Sequence, residues 1–261
     1  MKYLFITCIA AILCLTGFAQ QGSWKGKQCA VVLTYDDAID IDLDHVIPAL
    51  DSFQLKGTFY LIGASPVIDK RLHEWRSAAA NGHELGNHAL MHPCDGSKPG
   101  RGFVTPENDL SKYSVARAVT EIRQNNVLLK AIDGKERRTF AYPCGDLTVN
   151  GVFFYEQLRN EFACARGVAG GIVTPQNANY DNINSYVVNG QDGNYLISLV
   201  KQAEQSGGLV VFLFHGVGGG HNINVSSGAH TELLRYLAAG KDKIWVTTMV
   251  DAADYMRELK R

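Results

Sequence analysis

The stretch "CAVVLTYDDA" (residues 29–38) is an apolar, partly β-branched run that stops abruptly at two carboxylates. A short apolar run of this kind reads as a buried strand, and the aspartates mark its end. Working outward, 42–55 has Val46, Leu50 and Phe53 roughly in helical phase, and 57–63 ("GTFYLIG") is a second strand. A helix with Pro near its start is predicted over 66–81. Residues 113–132 form a long helix with Val115, Val119, Ile122 and Leu129 on one face. Further strands are expected at 138–143, 161–166, 208–215 and 243–249, and helices at 151–160, 193–206, 229–240 and the C-terminus. Strand–helix alternation implies parallel strands joined by crossovers. About seven such units suggest a single α/β domain with a barrel-like sheet. In such a fold chemistry gathers at the carboxyl ends of the strands. Polar clusters do fall there: "TYDDA", "NHALMHP", "AYPCGD" and "FHGVGGG".

A hydrophobic fraction of 46% lets a chain of 261 residues build a substantial core. A net charge of −1 lacks the basic excess that nucleic-acid binding requires. The N-terminus pairs Lys2 with a short apolar run and the small residues Gly17 and Ala19, the pattern of a signal peptide cut after Ala19. The mature chain then starts at residue 20 and is exported: periplasmic, in the cell envelope or secreted. Leu13 before Cys14 is too bulky for a lipoprotein site. No later stretch is long and apolar enough to span a bilayer. Cys29, Cys94, Cys144 and Cys164 remain after cleavage, with no CxxC pair to suggest a zinc finger. Cys94 and Cys144 each follow a polar cluster, which could bring them together.

His88 and His92 are four residues apart, close enough on one turn to share a divalent ion. Pro93 disfavours a continuing helix, so a short turn or loop is expected. Adding Asp37 makes two imidazoles and a carboxylate, a set that leaves coordination positions open for catalysis. Asp36, adjacent in the chain, faces a different partner. His215 ends the most apolar strand and opens into glycines, a placement suited to delivering a proton. The glycines at 216 and 218–220 lack the Lys-Ser/Thr of a phosphate loop. His45, His73, His83, His221 and His230 read as structural or exposed. There is no G-x-S-x-G nucleophile elbow.

Taken in order, "TYDDA", "HALMH", "AYPCG" and "LFHG" resemble the motifs of the polysaccharide deacetylase family, carbohydrate esterases with a NodB-homology domain. "GTFYLIG" and "GHELGNH" are similar to family segments too, and the resemblance runs over roughly 29–255. It implies a distorted (β/α) barrel of about seven parallel strands spanning 20–261. It implies that Asp36 is the general base, Asp37, His88 and His92 the metal ligands, His215 the general acid, and the Cys144 backbone N–H a contact for the oxyanion. Three positions depart from the family pattern. Ala38 replaces Gly, Ala89 replaces Ser or Thr, and Ala141 stands where many members carry an Arg that orients the base. The family's Asp partner for the acid histidine has only Asp192 as a candidate.

The activity implied is metal-dependent removal of N- or O-linked acetyl groups from a polysaccharide or oligosaccharide. Zinc is the expected ion; Co, Ni, Mn or Fe suit the same donors. Two rivals remain open: a carbohydrate-binding protein that kept the barrel but lost activity, and a small-amide hydrolase on the same fold. The polar loop at 95–112 and the segment 167–192 are expected to shape specificity.

Overall fold

Strand β1 (Cys29–Asp36) runs through the centre of the molecule, every residue buried. The computed structural model describes residues 24–260, so the expected signal peptide, 1–19, lies outside the described residues. After β1 the main sheet adds β2 (Thr58–Leu61), β3 (Glu84–Asn87), β4 (Phe140–Ala141), β5 (Ala165–Arg166), β6 (Tyr186–Val187), β7 (Leu209–Phe214) and β8 (Ile244–Thr247). All its pairings are parallel, in the order β5-β4-β3-β2-β1-β7-β6. One bridge, Arg166 to Ile183, joins β5 to the segment entering β6 and closes the ring. β8 pairs with the first half of β1 (Cys29–Val32), whereas β2 pairs with the last part (Thr34–Asp36). This is the barrel-like sheet expected from the alternation, in the distorted (β/α) form that the resemblance implied.

Side chains alternate across a strand. Val31, Leu33 and Tyr35 therefore pack with Leu50, Leu196 and Leu233, while Ala30 and Val32 pack with Val211, Met249 and Trp24. Both faces of β1 are covered, which is why its sequence is almost continuously apolar. The same alternation delivers Asp36 to the side opposite Tyr35.

The helices are α1 (Ile47–Ser52), α2 (Pro66–Lys70), α3 (Leu72–Ala80), α4 (Val115–Asp133), α5 (Gly193–Ser206), α6 (Ser227–Ala239) and α7 (Met249–Leu259). Their ends follow capping chemistry. The Ser114 side chain accepts from Arg117 N–H at the start of α4, and Gly134 ends it with φ 73°. Among the described residues no helix is long and apolar enough to cross a membrane.

Four expectations change. The helix predicted over 66–81 breaks at Arg71 (φ −125°) into α2 and α3. The strands predicted over 138–143 and 161–166 shorten to Phe140–Ala141 and Ala165–Arg166. The helix predicted over 151–160 is instead a hairpin, Thr148–Val149 with Val152–Phe153, followed by a 3-10 turn over Phe154–Gln157. Asn150 and Gly151, both at positive φ (49° and 79°), form its turn. Asn-Gly is the strongest short hairpin signal, and the apolar residues after it misled the helical reading. They bury Phe154 and Tyr155 against Phe140 and Tyr142.

Candidate catalytic and metal centre

The expected site residues converge at the carboxyl end of the barrel, around a cavity of about 670 Å³ lined by Asp36, Asp37, His88, His92, Cys144 and His215. Asp37 takes φ 85°, turning the chain sharply as it leaves β1, while its N–H donates to the Tyr60 carbonyl at 3.1 Å. This turn sends the two adjacent carboxylates to different partners.

Asp37 Oδ1 lies 3.5 Å from both His88 Nε2 and His92 Nε2. Its other oxygen, Oδ2, lies 3.9 Å from His215 Nε2 and 3.7 Å from His221 Nε2. The carboxylate is thus shared between two pairs of imidazoles. Burial raises the Asp37 carboxyl, but the imidazoles of His88, His92 and His215 outweigh burial and hold it below the usual carboxylate range. Burial, reinforced by the His88 charge, pushes His92 down to about 4. For the deeply buried His88, burial lowers the imidazole but the Asp36 and Asp37 carboxylates win and raise it.

The donors fit a divalent cation. Asp37 Oδ1 is buried without a hydrogen-bond partner, an arrangement that is costly unless something compensates the charge. His88 Nδ1 sits 2.9 Å from the Ala141 carbonyl. A carbonyl can only accept, so the proton is on Nδ1 and the Nε2 lone pair faces the site, the tautomer a metal ligand requires. The ligating atoms of Asp37, His88 and His92 all lie within 4.8 Å of one another. His92 (φ 49°) and Ala89 (φ 59°) adopt left-handed backbone to bring both rings to one point.

Asp36 is 3% exposed. Its two oxygens accept from one nitrogen, Arg166 Nη2, at 2.7 and 2.6 Å. This answers the departure at Ala141. Ala141 and Arg166 are register partners on β4 and β5, so the cation reaches the carboxylate from the neighbouring strand. Sequence reasoning missed Arg166. Its one signal was a charged residue inside the short apolar segment "FACAR", unusual unless paired.

Cys144 and Cys94 form a disulfide. It ties the loop carrying His92 to the loop after β4, where Cys144 itself takes φ 56°. The Cys144 carbonyl accepts from Arg101 Nη2 at 3.0 Å. Buried Asp146 accepts from the Asp95 N–H and pairs with Lys98, anchoring the 95–112 loop beside the cavity. Gly100, Arg101 and Phe103 from that loop, and Val168 and Val187 from 167–192, line the wall.

Two expectations are corrected. Asp192 does not pair with His215: its side chain accepts from the Tyr195 N–H and caps α5. His221 is not peripheral, because its ring lies against His215 with centroids 4.7 Å apart. His83 and His230 are structural as expected, bonded to Gly57 N–H and Tyr35 Oη respectively.

The family model described as polysaccharide deacetylase matches residues 25–162. The fold is shared with solved structures of low sequence identity. A candidate polysaccharide deacetylase from Mycobacterium smegmatis superposes with TM-score 0.63 at 14% identity, covering 90% of this chain and 92% of that one. The D285S mutant of the peptidoglycan deacetylase PdaC from Bacillus subtilis gives 0.52 at 16% identity, covering 89% and 95%. A gellan lyase from a Bacillus species is 28% identical over 174 residues, which is 66% of this chain but only 6% of that much longer protein.

Proposed function

The chain belongs to the polysaccharide deacetylase family, and from that premise we propose that it is a metal-dependent hydrolase that removes acetyl groups from a carbohydrate polymer or oligosaccharide. The observation that carries the reading is the pairing of a clamped carboxylate, Asp36, with a separate three-donor set, Asp37, His88 and His92, on one cavity.

When bound by Asp37, His88 and His92, a divalent cation, zinc or another first-row ion, supplies Lewis acidity to the acetyl carbonyl and to the attacking water. Asp36 takes the proton from that water. Arg166 holds the carboxylate in place for the transfer, donating to both its oxygens. The backbone N–H of Cys144, a residue that lines the cavity, is assigned to the negative oxygen that develops on the acetyl carbon. His215 returns a proton from Nε2 to the leaving oxygen or nitrogen. Phe103, 62% exposed at the rim, offers a flat apolar face to a sugar ring. The cavity volume falls in the range that takes a compact ligand. The disulfide supports a protein that works outside the cytosol, in accord with the N-terminal segment.

The rival reading, a carbohydrate-binding barrel without activity, drew on the absent Arg at 141 and on the lack of a clear Asp partner for His215; Arg166 answers the first, whereas Asp192, committed to α5, leaves the second standing. The small-amide alternative would regain ground if the chain failed to be exported.

The test is Asp36→Asn in metal-loaded protein, assayed by acetate release from a panel of acetylated glycans. Bound metal should match wild type, because Asp36 is outside the donor set, while turnover disappears. Turnover that survives the substitution removes Asp36 as the base.

A further inference from the structure

His215 has an unusual environment for a group that must aim a proton. Its Nδ1 is buried and finds no hydrogen-bond partner among the described residues. Asp192, the sequence candidate for that role, is committed to α5. The ring must be oriented by some other contact. One contact is face to face: His221 lies over His215 with centroids 4.7 Å apart and planes 15° from parallel.

The chain between the two histidines is built to make this contact. After His215 it loops round so that Asn224–Val225 runs parallel beside Gly216–Val217. Gly216 N–H donates to the Ile223 carbonyl and Gly218 N–H to the Val225 carbonyl, at 3.0 and 2.7 Å. Gly219 N–H donates to Asn224 Oδ1 at 2.9 Å. A Cβ on Gly216 would come within 2.3 Å of the Gly219 carbonyl oxygen, and one on Gly218 within 2.0 Å of Ser227 Oγ. Gly218, Gly219 and Gly220 all take positive φ (73°, 138° and 83°), which glycine adopts without steric cost. So the run "GVGGG" serves a tight return that places His221 on His215.

The far edge of the His221 ring is anchored as well. Its Nδ1 lies 3.0 Å from the Ile223 backbone nitrogen and 3.3 Å from the Ile223 carbonyl oxygen. Its Nε2 is 3.7 Å from Asp37 Oδ2, beside the three-donor set of Asp37, His88 and His92.

We propose that His221 is a positioning residue for His215, its ring face taking the place of a carboxylate partner in holding the acid in line with the leaving group. This rests on the deacetylase reading above. The contact is a stacking one, so an aromatic ring without a hydrogen-bonding nitrogen should preserve it.

The experiment compares wild type, His221→Ala and His221→Phe, all zinc-loaded, on two acetyl esters. Glucose pentaacetate releases a sugar alkoxide that needs a proton, whereas 4-nitrophenyl acetate releases a phenolate that does not. His221→Ala should lose about tenfold or more in kcat on the sugar acetate, with KM nearly unchanged and bound zinc equal to wild type. It should keep its kcat on 4-nitrophenyl acetate, and His221→Phe should regain most of the loss. Equal losses on both esters, loss of zinc, or a Phe variant as impaired as the Ala variant would each overturn the proposal. A crystal structure of His221→Ala decides the point independently of activity: the His215 ring should turn away from Asp37 Oδ2, and an unmoved ring refutes the positioning role. Wild-type protein inactive on both esters but releasing acetate from N-acetylated glycans restricts the reading to amides, and inactivity on esters and N-acetylated glycans alike sinks it; in either case the ring orientation in the crystal structure judges His221 by itself.

Discussion

At the scale of single residues, the site depends on how one buried charge is matched. Arg166 is fully buried and Asp36 nearly so, so removing the guanidinium leaves a carboxylate in a dry interior with its countercharge gone. Breaking such a pair costs about 3–5 kcal/mol. Arg166→Met should therefore lower the urea midpoint by a corresponding amount and cut acetate release, while zinc content stays near wild type. Asp192 gives the opposite forecast. As the cap of α5 and nothing more, Asp192→Ala should cost about 1 kcal/mol of stability and leave kcat unchanged; a large drop in kcat would restore it as the partner of His215. These two residues also show what a sequence conceals. Asp36, Asp37, His88, His92 and His215 were legible because each belongs to a short motif at, or a few residues beyond, the end of a strand. Arg166 was not, because its role follows from the register between β4 and β5, and no local pattern encodes which residues of two parallel strands lie side by side. His221 was missed for a related reason. Its position depends on a return of the chain through glycines, and the glycines were read only against the phosphate-loop pattern.

At the scale of elements, the loops do more than the strands to assemble the centre. The end of β1 supplies Asp36 and the turn after it Asp37, but the loop from 88 to 94 and the turn at 143–145 have to be held in left-handed backbone, at His92 and Cys144. The Cys94–Cys144 bond joins these two segments across a separation of 50 residues. Closing a loop of that length restricts the unfolded chain by about 4 kcal/mol on the chain-entropy account. The double variant Cys94→Ser/Cys144→Ser should show a much lower Tm, and at temperatures where it is still folded its affinity for zinc should fall, read by competition with a chelating dye. Zinc affinity equal to wild type would mean that the His92 loop keeps its shape without the tie. The element pattern itself was largely readable. Alternation of apolar runs with amphipathic ones was enough for the barrel, and β1, α4, α5, β7, α6 and α7 fall where their periodicity and caps put them. The failure at 148–157 came from weighing the apolar residues after Asn150-Gly151 above the turn those two residues dictate.

At the scale of the whole molecule, stability should respond to pH through a histidine that does not line the cavity. His230 of α6 is buried with its Nε2 2.8 Å from Tyr35 Oη, and burial lowers it from its ordinary 6.5 to about 4. The unfolded chain then binds a proton that the folded one refuses over that interval, so stability falls as pH drops from about 6.5 to about 4 and levels off below. The loss from this group amounts to about 3 kcal/mol. Urea unfolding at pH 7 and pH 4.5 should show it, and His230→Phe should have a correspondingly shallower dependence; an identical slope in both proteins would place the acid sensitivity elsewhere.

The seam that closes the barrel runs between β5 and the 180–185 segment, where Ala165, Gly167, Ile183 and Ser185 N–H groups donate across it. Arg166 sits in the middle of that seam, and its guanidinium grips Asp36. A local opening there would withdraw the guanidinium, so the seam and the grip on Asp36 should be lost together.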